Sequence, residues 1–438
     1  MSRRSTIEPS RDRTAASRRF RSLLALVVFA AVAGVLSHRT AIKVNFSAAP
    51  DGENWKFEAF RHKVYYPEVA FLEGGSPRVG ATSSPAYQFH NQFPRYSPLT
   101  LIVHLPFGLM PLAAAEVVYW MLTLVLMLVL AHLTLKCCKV EATTAGVFGV
   151  ASLMLLSRPG EWNLELGQST VLVVIGAYLA LHFARERPWV AGLGLTLATV
   201  KPTFGLPLAF LLLWRRSVRA VLIGVTIAVI LSAGAMAVLT HGAKDGEAFK
   251  TSSNDYATLE ADLEADPVFS ATRIDALAFV GRLAGKIPFV GSLAISIGIL
   301  TIGALGLRRL AFAADDSTAR QLSASLACVT VLACAYHQQY DLLLLALPVT
   351  ALVMNSRAAP WGGRPTIRWV LLTALTLLAV NYLATERAID RFHITGTWWL
   401  AVTSLNGGVL LVALFVYAAL ALARSGAFMA KPVELGTR

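Results

Sequence analysis

The chain has 438 residues, of which 55% are hydrophobic and only 15% charged, with a mean hydropathy of +0.58. That is more apolar side chain than one soluble core of this length buries. The formal charge of +13 falls in short clusters between apolar runs and not in one stripe, which argues against nucleic acid as a partner and for membrane topology. Four cysteines supply no disulfide or metal framework: Cys137 and Cys138 adjoin Lys136 and Lys139, while Cys328 and Cys334 lie inside an apolar run.

In chain order, residues 1–19 form a basic tail with Arg3, Arg4, Arg11, Arg13, Arg18 and Arg19. The apolar run behind it continues into Ser37, His38 and Arg39 without a small-residue cleavage site, so it reads as an uncleaved first span. A helix needs about 20 apolar residues to cross a hydrocarbon core about 30 Å thick. On that basis spans are expected over 20–38, 113–135, 142–158, 168–184, 188–201, 203–214, 218–239, 287–307, 319–336, 341–355, 367–384 and 397–423, twelve in all. The chain thus reads as an all-α polytopic membrane protein, with one multi-spanning domain over 20–423 and a second short tail over 424–438.

With the arginine-rich tail in the cytosol, each later basic turn falls on the same side, as the positive-inside rule requires. These turns hold Lys136 and Lys139, Arg185 and Arg187, Arg215, Arg216 and Arg219, Arg308 and Arg309, Arg357, Arg364 and Arg368, and Arg424. Two long loops, 39–112 and 240–286, then lie outside, the second acidic through Asp255, Glu260, Asp262, Glu264, Asp266 and Asp275. Residues 98–112 are apolar but short and broken by Pro106 and Pro111, as in an interfacial or re-entrant helix.

This threading gathers polar residues at the outer ends of spans. Asn163, Glu165 and Gln168 lie between the third and fourth spans and Lys201 ends the fifth. His337, Gln338, Gln339, Tyr340 and Asp341 join the ninth and tenth, and Glu386, Arg387, Asp390, Arg391 and His393 lie between the last two. Ionisable groups at membrane depth are costly and face protein or a wet cavity, which marks Lys201, His337 and Asp341 as functional candidates and Glu386 to His393 as solvated loop residues. His104, His132, His182 and His241 have no partners at ligand spacing, so no metal site is expected. No phosphate-cradling glycine loop, nucleophile elbow or zinc-binding helix is present, which argues against a soluble nucleotide-binding fold.

Phe60, His62, Val64, Tyr65 and Tyr66 with Gly74 and Gly75, then Tyr96, Ser97, Pro98 and Leu99 with Pro106, Met110 and Pro111, resemble glycosyltransferase family 87. Asn163 to Ser169, Leu197 to Pro202 and His337 to Leu342 follow in the same order. The resemblance implies a GT-C architecture and a membrane-embedded hexosyltransferase without a cofactor. Such an enzyme moves a sugar, mannose foremost, from a polyprenyl phosphate to a lipid or glycan acceptor, with inversion, at the outer face of the plasma membrane. An acid in the first outer loop is the family's general base, but Ala59 stands where the family has Asp. The resemblance therefore leaves Glu58 or Asp51 as base, with His337 as a further catalytic residue. Lys201 is expected to offset the leaving phosphate, and Asn163, Gln168, Tyr65, Tyr66 and Asp341 to hold substrate. Two alternatives stand beside this reading: a twelve-helix secondary transporter, against which the lack of internal repeats argues, and a non-catalytic lipid-binding homologue, which Ala59 favours.

Overall fold

The computed structural model describes residues 11–46, 57–73, 96–242, 266–311, 317–354 and 365–429. The described residues form an all-α bundle. Six of its helices are long and apolar enough to cross a membrane: Ala16–Ala41, Leu112–Cys137, Val218–Leu239, Phe289–Ala311, Pro365–Ala384 and Gly396–Arg424. Six shorter apolar helices lie between them in the chain, four before Val218 and two before Pro365, so an apolar helix stands at each of the twelve expected spans.

The N-terminal half contains α1 (Arg11–Phe46), α6 (Leu112–Cys137), α7 (Thr144–Leu156), α8 (Arg158–Leu166), α9 (Thr170–Phe183), α10 (Pro188–Ala198), α11 (Pro202–Trp214) and α12 (Val218–Gly242). Between α1 and α6 lie α2 (Glu58–Phe60), a π-helical stretch (Arg61–Tyr65), α3 (Tyr66–Leu72), α4 (Leu99–Val103) and α5 (Leu105–Gly108). The C-terminal half contains α13 (Ala276–Ala284), α14 (Phe289–Ala311), α15 (Ser317–Cys334), a 3-10 helix (Gln339–Leu345), α16 (Ala346–Met354), α17 (Pro365–Ala379), α18 (Glu386–Arg391) and α19 (Gly396–Met429). The stretch 98–112 is a broken pair of short helices, α4 and α5, each too short to cross.

Why the short helices stop where they do is written in single residues. Pro202 disfavours helical geometry at Lys201, which adopts an extended backbone (φ −105, ψ 106) and so separates α10 from α11. Ser157 ends α7 and caps α8 by accepting from the Gly160 N–H at 3.3 Å. Helices α9 and α10 pack at close range: a Cβ on Gly176 would sit 2.5 Å from the Gly194 carbonyl oxygen, and one on Gly194 2.6 Å from that of Gly176. Small residues of this kind let helix backbones approach where lipid gives no hydrophobic drive for association.

The bundle has two chemically distinct ends. At one, Arg215 donates to the Leu181 carbonyl at 2.7 Å, Arg185 to that of Ala311 at 2.8 Å, and Arg320 pairs with Glu186 at 3.0 Å. The helices run from this basic end to a second end where Thr170, Lys201, His337, Asp341 and Asp275 sit at helix starts or breaks. Helices of 11–14 residues, as α7, α9, α10 and α11 are, span only about 16–21 Å at 1.5 Å per residue, short of the about 30 Å hydrocarbon core. The polar residues of that second end lie buried, in a recess of the bundle, and α2 packs against α8.

Candidate functional site

Asp341 is the centre of the recess. Its Oδ1 accepts from Lys201 Nζ at 3.0 Å and from the Thr170 hydroxyl at 3.1 Å. Its Oδ2 lies 3.1 Å from His337 Nδ1 and accepts from the Gln338 N–H at 3.1 Å, closing a capping box that starts the 3-10 helix. The opposite ring nitrogen, His337 Nε2, faces the Val331 carbonyl at 3.1 Å. Asp341 thus sits between the Lys201 ammonium and the His337 ring.

A second buried ion pair supports the first. Asp275 caps α13 through the Ala278 N–H at 3.1 Å, takes the Arg273 guanidinium at 2.7 and 3.2 Å, and reaches the His337 N–H at 3.4 Å. The extended stretch before it bridges Arg273 to Gln338, with Ile274 N–H donating to the His337 carbonyl at 3.0 Å. Arg282 donates to the carbonyls of Thr403, Ser270 and Arg273, all between 2.5 and 2.8 Å. Within this set the buried Lys201, Arg273 and Arg282 stand with two buried carboxylates, Asp341 and Asp275, an excess of one cation. Residues 266–286 thus do not form the end of a solvated acidic loop: Asp275 is fully buried because it is spent on a helix cap and an arginine.

Asn163 and Gln168 close another side of the recess. Asn163 Nδ2 donates to the carbonyls of Pro159 at 2.7 Å and Tyr340 at 3.0 Å, while Gln168 Oε1 accepts the Tyr96 hydroxyl at 3.2 Å. Tyr340 in turn carries Lys201 Nζ 4.4 Å over its ring, and Trp162 lies between Tyr340 and the Arg158 guanidinium, which stacks on it at 3.9 Å. Three buried polar atoms around the recess have no hydrogen-bond partner among the described residues: Asn163 Oδ1, Ser169 Oγ and Gln339 Oε1. They hold unused capacity for a polar ligand.

The loop helices reach this site through Gly167. It ends α8 in the left-handed region (φ 67), and a Cβ there would lie 2.7 Å from both Phe57 and Phe60. Phe57 N–H donates to the Glu165 carbonyl at 3.3 Å, which fixes the half-buried Glu58, first residue of α2, beside the α8 turn. Ala59 is buried in that packing. Tyr65 and Tyr66 stand apart in an aromatic cluster with Phe60, Phe107 and Tyr119, where the Tyr65 hydroxyl donates to the Met110 carbonyl at 3.0 Å. Asp51 lies outside the described residues.

The structure therefore joins Lys201, His337 and Asp341 directly, sets Asn163 and Gln168 beside them, and places Glu58 beside the α8 turn through its neighbour Phe57. Sequence reasoning did not single out Thr170, Arg273 or Arg282. Nor did it find Glu68, a fully buried acid on α3 with no partner for either oxygen among the described residues, whose burial pushes its carboxyl up to about 9.

Neither a curated protein nor a solved structure matches the chain. The profile of glycosyltransferase family 87 matches residues 93–333, which takes in Tyr96, the Asn163–Gln168 helix end, Thr170, Lys201 and the Arg273–Asp275 pair, and stops four residues before His337. That match covers more than half of a polytopic helical chain, which belongs to glycosyltransferase family 87.

Proposed function

We propose that the protein transfers a hexose, mannose foremost, from a polyprenyl phosphate donor to a lipid or glycan acceptor, with inversion, at the outer face of the plasma membrane. The observation that supports the reading is the recess around Asp341, where the buried cations Lys201, Arg273 and Arg282 outnumber the carboxylates Asp341 and Asp275. Such an excess suits a ligand that brings negative charge, as a lipid phosphate does. The unused acceptors and hydroxyl at Asn163, Gln339 and Ser169 suit the hydroxyls of a sugar.

Membrane orientation follows from charge. The arginine-rich end is cytosolic, both tails lie there, and the recess faces outward, away from the compartment where nucleotide sugars are made. A donor anchored by a hydrocarbon chain reaches such a site from within the bilayer.

In the reaction the acceptor hydroxyl oxygen attacks the anomeric carbon while the bond from that carbon to the phosphate oxygen breaks. The electron pair leaves with the lipid phosphate, and the hydroxyl proton passes to a carboxylate, Glu58 or Asp51. Lys201 and His337 stabilise the charge that builds on the phosphate, and Asp341 holds both in place. Thr170 fixes the Lys201 ammonium at 2.5 Å.

The test is reconstitution of the purified protein in lipid vesicles with a radiolabelled polyprenyl phosphate mannose and a membrane extract as acceptor source. Label passing into the acceptor fraction is the expected result. No transfer from any polyprenyl phosphate sugar, with uptake of free sugar instead, would overturn the reading in favour of a carrier.

A further inference from the structure

At the basic end of the bundle, away from the recess, cations from four helix ends converge. Lys139 follows α6, Arg185 follows α9, Arg215 follows α11, and Arg320 lies in the first turn of α15. Arg185 and Arg320 act on the Arg215 guanidinium, and Lys139, Arg215 and Arg320 all lie within electrostatic reach of the His182 ring. The carboxylate described among them is Glu186, which is largely exposed and already pairs with Arg320 at 3.0 Å. The other carboxylates of these turns, Glu141, Asp315 and Asp316, are outnumbered in their turn by Arg187, Arg216, Arg219, Arg308 and Arg309.

Membrane topology asks only for basic residues in solvated turns. This cluster goes further. Arg215 is buried, and its guanidinium donates to the Leu181 carbonyl at 2.7 Å without a carboxylate partner among the described residues. Burial, and after it the like charges of Arg185 and Arg320, draw the guanidinium down to about 10, so it stays a cation at neutral pH. Arg320 Nε is buried too and has no hydrogen-bond partner among the described residues. Buried charge without a counter-ion is costly, and a buried donor left open is a place for an acceptor. Helices α6 and α11 also end on cationic residues in the left-handed region, Lys139 at φ 55 and Arg216 at φ 65, where glycine is usual.

Depth identifies the anion. In the adjoining turns Trp189 and Val218 are exposed, and Trp214 ends α11 with the Arg308 guanidinium 5.6 Å over its ring. Exposed apolar side chains flanked by tryptophan and arginine mark the layer of lipid headgroups.

We propose that Lys139, Arg185, Arg215 and Arg320 bind the phosphate headgroup of one anionic phospholipid in the leaflet at the basic end. The guanidinium forks of Arg215 and Arg320 take phosphate oxygens, and Lys139 and Arg185 close the site from its exposed side. The lipid thereby ties together the ends of α6, α9, α11 and α15. The proposal stands on the membrane fold and is independent of the reaction at the recess.

The experiment takes the full chain in nanodiscs of phosphatidylcholine, with and without phosphatidylglycerol. Lipid held per protein is read by native mass spectrometry after release into detergent, and the thermal midpoint is measured in parallel. One phosphatidylglycerol is expected to be held in preference to phosphatidylcholine and to raise the midpoint. Arg320→Gln is expected to weaken that binding about tenfold, the loss of one charge-assisted hydrogen bond. Arg219→Gln removes the same charge from an exposed position of the same end and is expected to leave binding unchanged. Arg215→Gln tests the buried member, and Arg320, a third exposed, keeps the test open where that variant does not fold. Equal retention of the two lipids, or an equal loss in Arg219→Gln and Arg320→Gln, would overturn the proposal. So would inorganic phosphate raising the midpoint in phosphatidylcholine alone as far as phosphatidylglycerol does, which would assign the cations to a dissolved anion.

Discussion

Asp341→Asn is the sharpest perturbation of the recess, because it keeps shape and removes charge. The carboxylate accepts on both oxygens: Lys201 and Thr170 at 3.0 and 3.1 Å on one, His337 and the Gln338 N–H at 3.1 Å on the other. An amide has one accepting oxygen and one donating nitrogen, so in either orientation two donors meet an N–H. Lys201, only 6% exposed, also loses its counter-charge. Removing one partner of a buried ion pair costs about 3–5 kcal/mol, a hundredfold or more in the folded-to-unfolded ratio. The double variant Lys201→Met with Asp341→Leu removes both charges and is expected to recover most of that loss while remaining inactive, since a well-packed apolar pair replaces a buried ion pair at little cost. Unfolding midpoints of the parent, the single and the double variant in nanodiscs measure this. An asparagine variant within about 1 kcal/mol of the parent would show that Lys201 and Asp341 do not form the buried pair described.

His337→Ala and Lys201→Ala are expected to lower transfer by about 100-fold or more with expression retained, as loss of one pre-organised charge or donor does; turnover near the parent level in both would remove them from the site. Glu58→Gln and Asp51→Asn separate the two candidate bases: loss of general-base catalysis is expected to reduce kcat by about 10²–10⁴ in one variant and not the other. Glu68 carries a stability prediction with its own sign. Burial raises its carboxyl from 4.5 to about 9, so the folded state holds a proton that the unfolded chain releases, and stability falls as pH rises between those values. Glu68→Gln is expected to flatten that decline in thermal unfolding measured from pH 5 to 9, and an unchanged slope would refute the assignment.

Much of this architecture was legible because lipid leaves few options: apolar runs mark the twelve apolar helices, and the arginine clusters mark one end of the bundle. Lys201 was legible because Pro202 breaks the helix there, and His337 with Asp341 because charged groups between two apolar helices need partners. Asn163 to Gln168 read as a loop, yet Ser157 followed by Arg158 and Pro159, with Gly167 after it, is a helix start and stop, and α8 lies between them. The second ion pair was not legible. Arg273 and Asp275 stand over 60 residues from His337, and their short extended bridge has no local pattern that distinguishes it from an acidic loop. Thr170 was missed because a threonine at the start of an apolar helix has no distinguishing spacing, and Glu68 because a buried acid reads like any other loop carboxylate until its neighbours are known.

The central claim is direct displacement of a lipid phosphate by an acceptor hydroxyl in the recess. Its most direct measurement is the anomeric configuration of the sugar after transfer from a radiolabelled polyprenyl phosphate mannose of defined anomer, read by digestion with anomer-specific glycosidases. The account predicts a product of opposite configuration, formed without nucleotide sugar; a product of the same configuration, or transfer from nucleotide sugar with no lipid-linked donor present, would contradict it.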